Sequence, residues 1–326
     1  MSSPAQAVKP LVREELEEAR RAIHGLVHRT PLLSSRSVSE SCGLEIWLKA
    51  ENLQKTGSFK PRGAFNKLLH VDVRERERGV VTASAGNHGQ ALAYVARHLH
   101  IPAFIVMPET ANASKVAAVR SYGAEAILRG RVWDDAYAYS LELGRERGLM
   151  HVHPFKDSFI MAGQGTIALE ILEDLPDLTA VIVPIGGGGL IGGIASAMKL
   201  HRPEVQVIGV EAEGAANMYR SHGEGRAVEL DEVSTIADGL ATKHTDPDVF
   251  ALLETVVDDY VTVSDDELRE AIRFLLERAK LLTEPSGAAG AAAALTGKLH
   301  VPTGAKTAIV LGGGNFDVKG KMTISI

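Results

Sequence analysis

Lys60 is the residue in this sequence whose surroundings best suit covalent chemistry. It follows Phe59 and precedes Pro61, and proline is favoured in the first turn of a helix, where no N–H partner is needed. A lysine rooted on such a rigid element is partly removed from water, which lowers its pKa. The neutral amine that results is what Schiff-base chemistry with a carbonyl compound requires. Taken alone, however, the pattern is more typical of an ordinary surface lysine.

Four consecutive glycines follow an apolar stretch and open a helical pattern. They are Gly186, Gly187, Gly188 and Gly189, with Leu190 next. Backbone N–H groups at the start of a helix converge on anions, so this stretch predicts a phosphate site. No Gly-Lys-Ser/Thr follows, which excludes a P-loop. The spacing that ends at Gly192 also satisfies the dinucleotide fingerprint, and Glu211 lies about 20 residues further on, so a nicotinamide cofactor is the alternative.

A second anion site is predicted at residues 84–89, between a strand pattern and a helix pattern. The residues are Ser84, Ala85, Gly86, Asn87, His88 and Gly89. Backbone amides at this helix start would bind an anion. Without the other motifs, Asn87 is more typical of a turn or cap, and His88 of a buried packing residue.

Together these motifs resemble a known family. Residues 55–64, which include Lys60, resemble the cofactor-lysine motif of the fold-type II pyridoxal-phosphate enzymes, and in particular the serine/threonine dehydratase and serine racemase group. The resemblance extends from about Leu11 to about Val318, and the motifs occur in the family's order. It implies pyridoxal 5'-phosphate as cofactor and Lys60 as the Schiff-base lysine and catalytic base.

The resemblance also implies the other site residues. Those expected to bind the cofactor are Phe59, Lys60, Asn87, Gly186, Gly187, Gly188, Gly189, Leu190, Glu284 and Gly312. Those expected to bind the substrate are Ser84, Ala85, Gly86, Asn87, His88, Phe155 and Thr242, with residues 84–88 at the substrate carboxylate. A divalent cation (Mg²⁺, Mn²⁺ or Ca²⁺) is implied at Glu211, Ala215 and Asn217.

Three of these positions depart from the pattern of the family. Gly312 stands where a Ser or Thr usually contacts the pyridine nitrogen, and Ala85 stands where serine racemases carry a second acid/base Ser. A methyl group cannot transfer a proton, so Ala85 favours elimination over racemisation. Asn217 replaces an Asp of the cation site, and the loss of a charge weakens affinity for a hard cation.

The implied reaction is β-elimination of a β-hydroxy amino acid, L-threonine or L-serine, to a 2-oxo acid and ammonia. A bulkier substrate, such as phenylserine or hydroxyaspartate, remains possible, and Phe155 favours an apolar β-substituent over an acidic one. An amino-acid racemase of the same family and a nicotinamide-dependent oxidoreductase also remain open. A non-catalytic binding module would require Lys60 to be idle.

Strand and helix patterns alternate along most of the chain, which predicts an α/β fold with parallel sheets flanked by helices. Strands are predicted at 80–84, 103–107, 124–129, 180–184, 205–211 and 307–311. Helices are predicted at 14–27, 89–98, 114–121, 133–146, 163–172, 192–200 and 266–279, the last with Ser264 as its cap. The resemblance divides the chain into a large cofactor domain (1–50 and 149–326) and a small domain (51–148) that carries Lys60.

Composition limits the partners and the location. The 326 residues are 45% hydrophobic and 23% charged, and the formal net charge of -6 disfavours nucleic acid and anionic membranes. One cysteine, Cys42, cannot form an internal disulfide, and no apolar run is long enough to span a membrane. We therefore expect a cytoplasmic enzyme, and the resemblance implies a homodimer of the short, catabolic form.

Overall fold

The computed structural model describes residues 8–316 of the chain. Its helices are α1 Arg13–Ile23, α2 Arg36–Cys42, α3 Lys60–Leu69, α4 Val73–Glu77, α5 Asn87–His98, α6 Ala113–Ser121, α7 Trp133–Arg147, α8 Ser158–Asp174, α9 Gly189–His201, α10 Asn217–Glu224, α11 Pro247–Val256, α12 Asp265–Phe274 and α13 Pro285–Leu295. Its strands are β1 Leu32–Ser34, β2 Glu45–Lys49, β3 Val80–Ala83, β4 Ala103–Met107, β5 Glu125–Leu128, β6 Met150–His151, β7 Ala180–Pro184, β8 Gln206–Ala212, β9 Asp259–Val263 and β10 Lys306–Val310. Short 3-10 helices lie at Glu51–Leu53 and Glu213–Ala215, and a π-helix at Leu275–Ala279.

The strands form two sheets, which confirms the predicted α/β architecture. The larger has the order β1-β2-β10-β7-β8-β9, parallel except for β1 at its edge. The smaller has the order β5-β4-β3-β6 and is parallel throughout. In such sheets binding sites form beyond the carboxyl ends of the strands. Loops that follow β3, β6, β7, β8 and β10 carry all the predicted motifs except the Lys60 segment and the segments around Thr242 and Glu284.

Helix α8 joins the two sheets. It packs against α1, α3 and α9, and burial of its apolar side chains, such as Ile160 and Ile167, contributes on the order of 2 kcal/mol each. Gly163 lets α3 approach closely, because a Cβ there would lie 2.5 Å from the carbonyl oxygen of Arg62. The helix that begins at Lys60 is therefore held tightly against the centre of the molecule.

Most predicted elements are present with shifted ends. The strands predicted at 103–107 and 180–184 coincide with β4 and β7. The helix predicted at 163–172 starts earlier, at Ser158, because the Asp157 carboxylate accepts hydrogen bonds from the N–H groups of Phe159 and Ile160 and caps it there. The helix predicted over 266–279 continues to Ala279, but it changes from α-helix to π-helix after Phe274. Ser264 caps α12 as predicted.

The predicted division into domains remains a prediction. The smaller sheet lies within residues 80–151 and the larger within residues 32–49 and 180–310. Strand β6 pairs with β3 of the smaller sheet.

Candidate active site

Lys60 lies at the first position of α3, where its backbone is fixed from both sides. The N–H of Phe59 donates to the carbonyl oxygen of Gly312 (3.1 Å), which attaches the segment before the helix to the end of β10. Pro61 occupies the first turn, as predicted. The Lys60 Nζ donates to the carbonyl oxygen of Pro154 (3.1 Å) and lies 5.0 Å from the centre of the Phe59 ring.

The environment of Lys60 favours the neutral amine. Removal from water lowers the pKa of Lys60 to about 8, and the negative charge of Glu284 opposes this shift. At pH 7 the Lys60 amine is then neutral in roughly a tenth of the molecules. The amine is therefore available as a nucleophile or base at ordinary pH.

Asn87 sits in a chain of amides and a carboxylate beside this amine. Its Nδ2 donates to Glu284 Oε1 (2.6 Å), and its Oδ1 accepts from Asn315 Nδ2 (2.8 Å). Burial raises the pKa of Glu284 to about 7, although the hydrogen bond from Asn87 acts in the opposite direction. Asn315, which also donates to the Thr56 carbonyl oxygen, was missed by the sequence reasoning. Its position directly after the glycines that follow β10 was the available signal.

Residues 186–189, the tetraglycine loop, form a narrow turn between β7 and α9. Gly188 has a left-handed backbone with φ of 87°, and Gly187 lies so close to Phe155 that a Cβ there would be 2.2 Å from the ring. The first N–H groups of α9 have no acceptor within the helix, so they are available to an anion. The loop thus has the form expected of a phosphate site.

Residues 84–89, the carboxylate loop, open α5 at the end of β3. The Ser84 Oγ accepts a hydrogen bond from the Gly86 N–H (3.2 Å), and a Cβ placed on Gly86 would meet no atom within 4 Å. This open space lies beside Ala85 at the start of the helix. The His88 ring is buried against the Val152 carbonyl oxygen (3.2 Å), and burial holds its pKa well below the usual value, so it is neutral.

The turn after β6 forms the wall between Lys60 and the tetraglycine loop. His153 Nδ1 accepts hydrogen bonds from the N–H groups of Phe155 (3.3 Å) and Lys156 (2.8 Å), and burial lowers the pKa of His153 to about 3. The imidazole is therefore neutral and fixes the turn that presents the Pro154 carbonyl to Lys60. On the opposite wall, the Gly239 carbonyl oxygen would lie 2.7 Å from a Cβ at Gly186.

The structure brings together almost every residue predicted for the cofactor. A Cβ built on Gly313 would lie 2.3 Å from Glu284 Oε1 and 3.2 Å from Asn87 Nδ2, and one built on Gly312 would lie 3.6 Å from the Phe59 ring and 3.8 Å from Leu190. A partly buried amine, an anion-binding loop, a side-chain amide and an apolar ring are the groups that a phosphorylated pyridoxal requires, so these residues fit that cofactor.

Gly312 provides no side-chain hydroxyl, although a side chain would fit there at ordinary contact distances. Three of the buried hydroxyls that have no partner within the described residues lie on the bordering segments, at Thr56, Ser58 and Thr283. Ser58 pairs with Gly313 through the backbone, and the residue after Thr283 donates its N–H to the Gly313 carbonyl oxygen. Side-chain hydroxyls are therefore present on the segments that border Gly312, which has no side chain of its own.

Thr242 and the residues predicted to bind a cation lie together, in the loop before α11 and around the end of β8. Thr242 accepts a hydrogen bond from Asn217 through its hydroxyl oxygen (2.8 Å). Glu211 is buried, and its oxygens accept the N–H groups of Met218 and Tyr219 rather than facing a free space, which disfavours the ribose contact of a dinucleotide site. Ala215 is buried in the turn after β8. Within the described residues, no cluster of three or more His, Cys, Asp or Glu side chains could hold a metal ion.

A buried charge cluster lies directly behind Lys60 and was also missed by the sequence reasoning. The Arg62 guanidinium donates to both oxygens of Glu51 (2.9 and 2.8 Å) and to both oxygens of Glu170 (2.6 and 2.9 Å). Lys49 Nζ donates to Glu170 as well (2.6 Å). Two positive and two negative side chains thus tie α3 to the segment after β2 and to α8. Such pairing depends on residues far apart in the chain.

Comparisons with known proteins identify the family. A family model described as "Pyridoxal-phosphate dependent enzyme" matches residues 23–313. The L-threonine ammonia-lyase of Thermotoga maritima is 50% identical over 305 residues, which are 94% of this chain and 76% of that protein.

Solved structures give the same result. A threonine deaminase from T.th. has a TM-score of 0.89 and 40% identity, covering 94% of this chain and 99% of that one. Maize serine racemase has a TM-score of 0.92 and 36% identity, covering 95% of each chain. The fold is therefore that of the fold-type II enzymes that the sequence resembles.

Proposed function

The chain belongs to the pyridoxal-phosphate dependent enzymes, and from this premise we propose that it is an ammonia-lyase that converts L-threonine and L-serine to a 2-oxo acid and ammonia. The observation that carries the proposal is Lys60, an amine with a pKa of about 8 between an anion-binding glycine loop and a second helix start. The name of the 50% identical relative supports threonine as the substrate.

The residues around Lys60 would hold the cofactor at its two ends. When bound, pyridoxal phosphate supplies an electron sink for negative charge at the substrate Cα. The tetraglycine loop and Leu190 would bind its phosphate, and Asn87 would donate its second Nδ2 hydrogen to the ring oxygen. Phe59, Glu284 and Gly312 would border the ring.

Lys60 performs the proton transfer. Once its amine is free, Nζ is a general base that takes the proton from the substrate Cα, and a pKa near the working pH is what efficient transfer requires. The Pro154 carbonyl accepts one of its hydrogens and so orients the amine. His153, which fixes the turn that carries Pro154, is neutral and does not compete for the proton.

The carboxylate loop positions the substrate. Gly86 faces open space at the start of α5, where N–H groups and the helix dipole favour a carboxylate. Ala85 provides no acid or base on this side, so a proton removed by Lys60 is not replaced from the opposite face. This arrangement supports elimination over racemisation.

Phe155 accounts for the preference we propose for threonine over acidic substrates. Its ring packs on the tetraglycine loop and extends the wall that begins at Pro154. An apolar wall favours a β-methyl group by a modest amount, about 10-fold or more in kcat/KM, and disfavours a carboxylate, which would lose water.

The test is a substrate panel with the purified holoenzyme. Ammonia and 2-oxo acid are measured with L-threonine, L-serine, phenylserine and hydroxyaspartate, and recovered serine is analysed for its chirality. We expect threonine to give the highest kcat/KM, with serine next. Turnover of phenylserine or hydroxyaspartate alone, or inversion of serine without ammonia, would overturn the proposal. Ala85→Ser should raise inversion relative to elimination.

The assembly and location are finer proposals. We propose a homodimer, as the resemblance implies, and a cytoplasmic location, as the composition favours. Among the described residues, no helix is both long and apolar enough to cross a membrane. Light scattering of the purified enzyme at several concentrations tests the dimer, and a mass of one chain throughout would contradict it.

A further inference from the structure

The turn after β8 is where the resemblance implies a divalent cation, and the residues present do not fit one. A hard cation requires several oxygen ligands directed at one point. We propose instead that the Asn217 side chain occupies the position of the cation, so that this enzyme needs no divalent cation and uses an amide to hold the wall of its cofactor pocket. The proposal does not depend on which amino acid is the substrate.

Glu211 is already engaged by backbone partners. Its Oε1 accepts the Met218 N–H (3.1 Å) and its Oε2 accepts the Tyr219 N–H (2.6 Å). Both N–H groups belong to the first turn of α10, where a helix has unpaired donors. Each oxygen of Glu211 therefore accepts one backbone N–H, and the side chain caps the start of α10.

Asn217 presents a donor where a cation ligand would present an oxygen. Its Nδ2 donates to the carbonyl oxygen of Thr242 (2.8 Å) and to the Thr242 hydroxyl (2.8 Å). A carbonyl oxygen can only accept, so the nitrogen must face it and the amide orientation is determined. The amide nitrogen has no lone pair available to a metal.

The oxygen of the same amide is also engaged. Asn217 Oδ1 accepts from the Thr245 hydroxyl (3.1 Å). The Ser221 hydroxyl lies within hydrogen-bond distance of the Asn217 backbone carbonyl oxygen (2.7 Å) and of Thr245 Oγ1 (3.0 Å), and its one hydrogen is donated to one of them at a time. Ser221 Oγ also accepts the Val228 N–H (3.1 Å). Asn217, Ser221 and Thr245 are all buried, and their side chains form a network that is complete without an ion.

This network matters because it reaches the cofactor pocket. The loop that contains Thr242 also contains Gly239, whose carbonyl oxygen would lie 2.7 Å from a Cβ at Gly186 of the tetraglycine loop. The Gly239 N–H donates to Ser286 Oγ (2.9 Å). Asn217 therefore fixes one side of a loop that packs directly on the phosphate site, and acts as a positioning residue.

The first experiment uses the wild-type holoenzyme. Thermal unfolding is followed in EDTA and in MgCl₂, MnCl₂ and CaCl₂, and Mn²⁺ binding is measured by electron paramagnetic resonance. We expect the same Tm in every condition and no Mn²⁺ bound at this turn. Saturable Mn²⁺ binding with a higher Tm, both lost in Glu211→Gln, would overturn the proposal.

The second experiment converts the amide into a cation ligand. In Asn217→Asp a carboxylate faces the Thr242 carbonyl oxygen, so we expect Tm in EDTA to fall by about 5 °C and Mn²⁺ or Ca²⁺ to restore it. The matched control is Asn52→Asp, which also removes an amide that donates to a backbone carbonyl, that of Leu282 (3.0 Å). The Tm of this control should fall, and no cation should restore it.

A third variant separates positioning from general stability. Asn217→Ala should lose cofactor faster on dilution, and no cation should slow this loss, whereas Asn217→Asp should recover cofactor retention with Mn²⁺. If Asn217→Asp folds but no cation changes its Tm or its cofactor retention, the amide does not occupy the position of the cation. If that variant does not fold, the wild-type measurements with EDTA and Mn²⁺ still decide the question. A chain that fails to deaminate threonine leaves these results unaffected.

Discussion

Lys60 and Arg62 are two residues apart at the start of α3, yet their surroundings act on charge in opposite ways. The Arg62 side chain has no exposed surface, and burial alone would lower its pKa, but the carboxylates of Glu51 and Glu170 raise it. Lys60 remains partly exposed, its hydrogen-bond acceptor is a neutral carbonyl, and its pKa falls to about 8. Burial thus lowers the pKa of Lys60 because only one charge opposes it, whereas the two carboxylates around Arg62 outweigh burial and keep the guanidinium charged.

Arg62 therefore has a structural role, and Lys60 a chemical one. The cluster of Lys49, Glu51, Arg62 and Glu170 is neutral in sum and joins three segments behind the pocket. A buried pair of this kind contributes little net free energy when intact but is costly to break. Lys60 extends from that fixed base into a pocket with few charges, so its position is rigid while its proton is labile.

The largest effect should follow from removing the reactive member. Lys60→Ala eliminates both the amine that holds the cofactor and the base at Cα, so ammonia release from threonine should fall by roughly 10³-fold or more. The free energy of unfolding should stay close to that of the wild type, because no buried partner is left unpaired. Retention of elimination activity by a properly folded Lys60→Ala enzyme would refute the assignment.

The next effect should follow from removing the structural member. Arg62→Met leaves Glu51 and Glu170 buried with Lys49 as their remaining close cation, so the free energy of unfolding in urea should fall by about 3–5 kcal/mol. Arg62→Lys keeps the charge but loses the bidentate contacts, so its free energy of unfolding should fall by less. A loss no larger than that of Lys60→Ala would remove the distinction between the two positions.

A smaller effect concerns the pH at which Lys60 reacts. Only the neutral amine takes up pyridoxal phosphate, and its fraction rises about tenfold per pH unit below the pKa and levels off above it. The rate of cofactor uptake by the apoenzyme should therefore rise up to about pH 8 and then flatten. A rate that continues to rise beyond pH 10 would show a lysine with an ordinary pKa.

The two positions also differ in how far the sequence reveals them. Lys60, the tetraglycine loop and Asn87 were predicted because their motifs, each next to a strand or helix end, occur together in the order of the family that the sequence resembles. The pairing of Arg62 with Glu51 and Glu170 was not, since Glu170 is 108 residues away and only packing of α3 on α8 brings it near. The six predicted strands were found as β3, β4, β5, β7, β8 and β10, whereas β1, β2, β6 and β9 were not predicted. Strands β1 and β6 have only three and two residues, and such short runs carry little periodicity.

The smallest effect tests the one charge that acts on Lys60. Glu284 raises the pKa of the amine against the effect of burial. Glu284→Gln is nearly isosteric, and its amide oxygen can still accept the hydrogen bond from Asn87 that the carboxylate accepts at 2.6 Å. The substitution thus removes the charge with little change in geometry.

The midpoint of cofactor uptake should therefore move to a pH below that of the wild type. Near pH 8 most of Glu284 is ionised, since its pKa is about 7, so its charge is present where Lys60 titrates. The control is Glu277→Gln, which removes a charge from the exposed π-helix, where solvent and salt screen it, and should leave the midpoint in place. An unchanged midpoint in Glu284→Gln would mean that the carboxyl is neutral where Lys60 titrates. In that case the pocket of Lys60 would contain no charged partner at all, and its contrast with Arg62 would be sharper still.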